Sequence, residues 1–583
     1  MSNFFMNKWR HVLLIVAAGF FVILPTMIMG IPKGDDIEHH YRVGVSLYES
    51  IRQGEFHPGW NSLSTDGYGD VSFRFYPPLF YYLMSVARLI VGNWYAASLF
   101  VFALLSILGG LSSYYWVRTF LEPELALFAG LFFVVSPFYV SELYQFAMLP
   151  QYAACALLPF AFAFLELVCQ TGKWRNVIGL AVAYAMLVLT HLPLTVIGSI
   201  ALAIYALFRI KRPAYLKSLL RLTVGVLLGL ASSSFYWVRM ISELEWRRGT
   251  RGEPGFWYDY RYNFIFGNTV DSTTVWWATK VAFATVLMGI PALVLLRTSW
   301  NDAAENNTVG QGAAQGPCPG FDVGENHSSG VKIPERRCPP YKALAVLTII
   351  SFFMMVPLSR PIWFVLPFLK EIQLPWRWLT IASMFCAVLG AASLRGLLEL
   401  AKGKLRPFAI LAAGGLLIPI SLTMFQVIRG ANFLSHSAFD QMIRLVPSSP
   451  SLPDWLPVWA RTQPKSMSGQ VEASNRQIQI TSWRSDHRIF QIGAGTAQEA
   501  RLKTYYYPLW IATADGKPLE TRPAEDGALL VALPAEAVTV DVILREPERV
   551  RASNIVSALA WGLIGVFFVW LRIRNGHSNP PLE

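Results

Sequence analysis

Residues 31–42, IPKGDDIEHHYR, bring Asp35, Asp36 and Glu38 together with His39, His40 and Arg42, directly after the apolar run HVLLIVAAGFFVILPTMIMG. Carboxylates, imidazoles and a guanidinium at such density can move a proton, hold an anion or bind a metal. From Asp35 onward the spacing predicts a helix whose apolar stripe is Ile37, Tyr41, Gly44, Tyr48 and Ile51. The opposite stripe is Asp35, His39, Arg42, Ser46 and Glu49, so the helix is expected to lie on the outer membrane surface with its charged side toward water or a cavity. Asp35 alone shares that face with both His39 and Arg42; Asp36 lies about 100° round the helix. A plainer reading stands beside this one. Asp35 and Glu38 also have the spacing of a capping box, and His39 and His40 suit an interface position. A metal site formed by the acids, the histidines and His57 lacks a tight ligand pair such as HxxxH.

The elements that must position these residues follow from composition. The chain has 583 residues, 54% hydrophobic and only 15% charged, with a mean hydropathy of +0.40; this excludes an ordinary soluble enzyme and indicates a polytopic membrane protein. The net charge of +12 comes from short basic clusters between apolar runs, which act as topology signals and imply no nucleic-acid partner. Cys155, Cys169, Cys318, Cys338 and Cys386 show no paired metal spacing and are expected as free thiols.

Apolar runs predict spans near 12–29, 95–117, 125–140, 147–168, 177–190, 194–209, 219–239, 276–297, 343–357, 375–394, 407–427 and 554–572. The first follows Lys8 and Arg10, is longer than a usual signal-peptide core and is read as retained. With the N-terminus inside, Arg118, TGKWR, RIKRP, AKGKLR and the tail RIR all fall on the cytoplasmic side. The segment PPLFYYLMSVARLIV, 77–91, would reverse this agreement as a span and is placed in the interface or as a re-entrant loop. The expected fold is mainly α: a polytopic transmembrane bundle over 1–430 of about twelve spans, counting the last helix, with first-loop interfacial helices in 31–76 and a disordered cytoplasmic insert at 298–341. A β-rich extracytoplasmic domain at 431–551 and a final span and cytoplasmic tail at 552–583 complete it. The segments RQIQITSW, HRIFQIG, LLVAL and AVTVDVIL, with a hairpin at Asp515-Gly516, carry the β expectation.

The acid after the first span followed by His and Arg (Asp35, His39, Arg42) combines with FYPPLFYYL at 75–83, SPFYVSELYQFAMLPQYAACALLPF at 136–160, THLPL at 190–194 and IQLPWRWL at 372–379. In this combination the chain resembles the GT-C superfamily of polytopic glycosyltransferases, and within it the membrane proteins called 6-pyruvoyl-tetrahydropterin synthase-related. The resemblance spans about residues 10–430. YYYPLWIATADGKPL at 505–519 looks like the β-domain segment of related membrane proteins, with Leu509 where a glycine usually stands.

The resemblance implies transfer of a sugar from a polyprenyl-phosphate donor to a glycan, lipid or protein acceptor, at the extracytoplasmic face of the inner (plasma) membrane. A first-loop acid then takes the acceptor's proton, with Asp35 the first choice and Asp36 the reserve. Cations must stabilise the leaving phosphate. Arg377, between two tryptophans at the outer end of a span, suits that role, and equally suits an aromatic-belt anchor. His39, Arg42, Glu142, His191 and Arg239 are further substrate-binding candidates; an exposed loop acid, a helix-ending histidine and a solvated charge run are the plainer readings of the last three. No motif fixes a cofactor or settles metal dependence, which leaves a divalent metal open. Two other functions compete: a transporter or flippase for lipid-linked glycans, and a non-catalytic scaffold in envelope polysaccharide assembly. A transporter would place its ionisable residues near mid-bilayer on broken helices, whereas here they gather in outer loops.

Overall fold

A computed structural model describes the chain apart from residues 1, 211–213, 250–258, 268–272, 290–291, 293–338, 403–404, 462, 497 and 577–583. The predicted insert at 298–341 falls almost entirely outside the described residues, as do Cys318 and Cys338; Cys155, Cys169 and Cys386 are free thiols. Each of the twelve predicted spans contains helix among the described residues. Nine helices there are long and apolar enough to cross a membrane, or ten if Tyr341–Met355 and Pro357–Val365, bent by 91°, count as one span. Trp174–Thr190 is shorter, the predicted span at 219–239 divides into Tyr215–Ser232 and Ser234–Ser242, and 276–297 is described as helix only to residue 289 and at residue 292. Leu79–Val91, the segment kept out of the span count, is a helix of 13 residues. At 1.5 Å per residue it is about 20 Å long, too short to cross.

The C-terminal region forms two antiparallel sheets. One has the order Val471–Glu472, Gln498–Tyr505, Ala528–Leu533, Thr521–Pro523; the other Ile478–Trp483, His487–Ile492, Val538–Leu544, Trp510–Ala514, Lys517–Leu519. All four predicted strand segments are present. Asp515 and Gly516, with φ of 48° and 82°, make the two-residue turn that sets Ala514 opposite Lys517.

The bundle and the sheets have separate apolar cores, and the first loop enters both. Ile37, Tyr41, Val43 and Leu47 join the bundle core. Trp60, Tyr68, Val71 and Phe75 join the core between the sheets, where they meet Phe490, Leu502, Tyr507 and Val542. The first loop and the β region therefore share one side of the bundle. A buried ionic network reinforces the junction: Arg74 donates to both oxygens of Glu243 at 2.5 and 2.6 Å and of Glu546 at 2.9 Å, while the Tyr507 hydroxyl donates to Glu243 at 2.6 Å.

Candidate active site

The first-loop helix runs Ile37–Arg52, two residues later than the periodicity predicts. Its N-cap is Asp36, whose side chain makes no capping hydrogen bond, so the Asp35–Glu38 capping box is not formed. Because both aspartates precede the first helical turn, a shared helical face with His39 and Arg42 does not govern where they point. The helix is also not a surface helix: it packs between Leu79–Val91 and the segment after the bundle, and most of its residues are buried.

Backbone contacts decide the position of Asp36. Ile31 and Pro32 pair with Leu434 and Phe433, and Gly30, at φ +118°, lets the chain turn into that pairing; a Cβ there would lie 2.1 Å from the Leu434 carbonyl oxygen. A Cβ on Gly34 would meet Ala147 at 2.6 Å, so only glycine lets the loop approach the 145–148 turn so closely. There the Asp36 amide donates to the Phe146 carbonyl at 3.3 Å. That turn separates Pro137–Tyr144 from Leu149–Thr171, with Ala147 at φ +48°. From the other side, Trp376 packs on Phe146 with ring centroids 4.8 Å apart. Arg377 is buried next to it, donating to the Ile372 carbonyl at 2.6 Å with a second guanidinium nitrogen 4.0 Å from the Met148 sulfur.

Burial pushes the Asp36 carboxyl up to about 7, with Asp35 adding to the shift and Arg377 opposing it. Tyr76 lies close enough to feel the same carboxylate. Glu142 is fully buried, accepts from Gln151 Nε2 at 2.9 Å, and lies within electrostatic reach of Arg377 and Asp36. His40 is buried, its Nδ1 2.9 Å from the Tyr81 hydroxyl, against the rings of Tyr76 and Phe80. Burial and then His39 hold its imidazole down to about 3, so it is neutral. His191 caps the helix Leu192–Arg209, its Nδ1 accepting from the Leu194 amide at 3.3 Å, within reach of the charges on Arg377 and His40.

Asp36, Glu142, His191 and Arg377 thus come together. The other four candidates sit elsewhere. Asp35 is exposed and accepts from the Thr274 hydroxyl at 2.9 Å. His39 and Arg42 pair at 3.1 Å, and Arg42 donates to the Ser449 hydroxyl at 2.9 and 3.3 Å, facing the start of the β region. Arg239 joins the Arg74 network through Glu546 at 3.1 Å. Sequence reasoning read His40 only as an interface residue or a member of a metal site, and it missed Gln151, for which the available signal was a lone amide in the long apolar run that begins at Leu149. Among the described residues no group of three or more His, Cys, Asp and Glu side chains is arranged to hold a metal ion.

Residues 73–429 match the family described as "6-pyruvoyl-tetrahydropterin synthase related domain; membrane protein". The chain belongs to this family. The match includes Glu142, Gln151, His191 and Arg377, while Asp35, Asp36 and the β region lie outside it. No curated protein matches the chain. Among solved structures, the chain is similar to the apo oligosaccharyltransferase of Archaeoglobus fulgidus, with 14% identity and a TM-score of 0.44 over 75% of this chain and 58% of that one. The mycobacterial arabinofuranosyltransferase AftD gives 15% identity and a TM-score of 0.43, over 72% of this chain and 27% of that one. ArnT from Cupriavidus metallidurans, bound to undecaprenyl phosphate, gives 14% and 0.41 over 76% of each chain. This chain therefore spans little more than half of the oligosaccharyltransferase and about a quarter of AftD.

Proposed function

We propose that the protein is an inverting membrane glycosyltransferase that uses a polyprenyl-phosphate sugar donor and an envelope glycan, lipid or protein acceptor. The observation that carries this reading is a carboxyl poised near neutral pH, Asp36, beside a buried guanidinium, Arg377. The acceptor hydroxyl gives its proton to Asp36 as its oxygen bonds to the anomeric carbon. The bond from that carbon to the phosphate oxygen breaks on the opposite face, and the electron pair leaves with the lipid phosphate. Arg377 stabilises the charge that develops there, its planar donors matching phosphate oxygens in pairs. The basic short connections support an extracytoplasmic site. Asp35 is then a secondary acid that keeps the Asp36 proton affinity high, and His39 with Arg42 forms an outer rim of the site.

The test is mass spectrometry of lipids bound to the protein purified in nanodiscs, with transfer of labelled sugar from a polyprenyl-phosphate donor measured for wild type and Asp36→Asn. Co-purified polyprenyl phosphate and transfer lost in the variant are expected. Undiminished transfer in Asp36→Asn, or a donor that proves to be a soluble sugar nucleotide, would overturn the reading.

A further inference from the structure

Among the buried polar atoms around Asp36 that have no hydrogen-bond partner among the described residues are Glu142 Oε2, Gln151 Oε1 and His40 Nε2, with the Trp376 indole nitrogen a fourth. The side chains of the first three are 0%, 0% and 4% exposed. Leaving such atoms unpartnered is costly in a folded protein, so their convergence points to a ligand. Glu142 and Gln151 are joined by their own hydrogen bond, so the two side chains that carry the free oxygens are in contact. Asp36 acts electrostatically on Glu142 and on Tyr81, the partner of His40.

We propose that Glu142, Gln151 and His40 form a subsite for a vicinal diol of a sugar ring, and that this subsite selects the sugar. Gln151 Oε1 can only accept, whereas Glu142 Oε2 accepts as a carboxylate and donates as an acid, so the ligand must present a donor to one and a group able to do either to the other. A phosphate presents no donor, and a cation would face Arg377. Hydroxyl groups satisfy all three atoms: one donates to Gln151, one donates to Glu142 or accepts from it according to where the Glu142 proton sits, and one accepts from His40 Nε2, which carries the hydrogen when the Tyr81 hydroxyl donates to Nδ1. The position beside Asp36 rests on the glycosyl-transfer reading; recognition of the diol does not. The ring belongs either to the donor or to the acceptor, which share this chemistry.

The test uses the full chain in nanodiscs. Binding is titrated for two probe series: polyprenyl-phosphate glucose, mannose and arabinose with their monodeoxy analogues, and the soluble methyl glycosides of the same sugars with theirs. Wild type should bind at least one parent sugar about 10 to 100-fold more tightly than an analogue lacking one hydroxyl, since the removed hydroxyl leaves a buried acceptor unmatched. Discrimination in the lipid series assigns the ring to the donor, and in the glycoside series to the acceptor. In Gln151→Met and Glu142→Gln the ratio should fall to within about threefold of unity while polyprenyl phosphate without sugar binds as before. No hydroxyl-dependent binding by wild type in either series overturns the proposal, and so does full discrimination retained in both variants. Wild type alone decides should a variant fail to fold. Discrimination by wild type with unchanged transfer in Asp36→Asn would keep the subsite and remove the catalytic reading; transfer lost in Asp36→Asn without any discrimination would do the reverse.

Discussion

Glu243 and Glu142 are both fully buried glutamates beside the first loop, and their surroundings are opposite. Glu243 has a partner on each oxygen, and its neighbour Glu546 is held below the usual carboxylate range because Arg74 and Arg239 outweigh the cost of its burial. Glu142 has one bonded oxygen and one without a partner, in a group where Gln151 and His40 repeat the pattern. The closed network joins three distant segments and leaves only Arg239 Nε over, which is how a buried ion pair behaves when it serves the fold. The open group keeps hydrogen-bonding capacity that the protein itself does not use. Burial of charge is common to the two regions; what differs is that the second gathers several buried polar atoms without partners among the described residues.

The strongest way to break this comparison is to change one residue in each region. Asp36→Asn should lower transfer about 10²- to 10⁴-fold. Its effect on stability runs the other way: a carboxyl raised to about 7 favours the native state below its unfolded value and loses that contribution as pH rises through 7. Thermal unfolding of wild type should therefore fall between pH 5 and 8 relative to Asp36→Asn. Equal melting of the two proteins across that range would mean that Asp36 is solvated. Arg74→Met should have the reverse signature. It leaves buried Glu243 with only the Tyr507 hydroxyl and Glu546 with only Arg239, and should cost about 3 to 5 kcal/mol of stability, read as a fall in melting temperature; wild-type melting would deny the network its structural role.

Arg377 sharpens the contrast within the site. Arg377→Lys keeps the charge but not the paired donors, and Arg377→Ala removes both, so donor binding should weaken progressively, by about 2 to 5 kcal/mol in the alanine variant. An anchoring arginine would instead tolerate lysine and lose stability on truncation, which melting in parallel with binding distinguishes. A smaller effect concerns pH. If Asp36 is the base, the rate should climb about tenfold per pH unit below 7 and level off above it, and a flat profile from pH 5 to 8 would assign the proton to another group. The smallest effect belongs to the exposed pair of Arg52 and Glu49, 3.3 Å apart on the first-loop helix. Arg52→Ala should change stability by under about 0.5 kcal/mol, since water and salt screen such a pair.

Much of the architecture was legible because it depends on local pattern. Apolar run length located helix in all twelve regions, and alternation located Ile478–Trp483, His487–Ile492, Ala528–Leu533 and Val538–Leu544. The short Val471–Glu472 and Thr521–Pro523 strands carry too few residues to show a period. The site was legible only in part. Asp36, Glu142, His191 and Arg377 were nameable as ionisable residues at the ends of apolar runs, yet the helical-face argument favoured Asp35 because it assumed a helix beginning two residues too early.

Residue type and spacing by themselves determined that this chain is a polytopic bundle with a β-rich C-terminal region and that its reactive groups gather at helix ends, since burial of apolar length and main-chain hydrogen bonding are settled within each segment. Which acid meets which arginine was decided only by tertiary structure. The Gly34 approach to Ala147, the Asp36 amide on Phe146 and the packing of Trp376 on the same residue join segments more than a hundred residues apart. No local pattern encodes those contacts, because they depend on the close approach of separate helices, and a shift of one residue exchanges the exposed Asp35 for the half-buried Asp36.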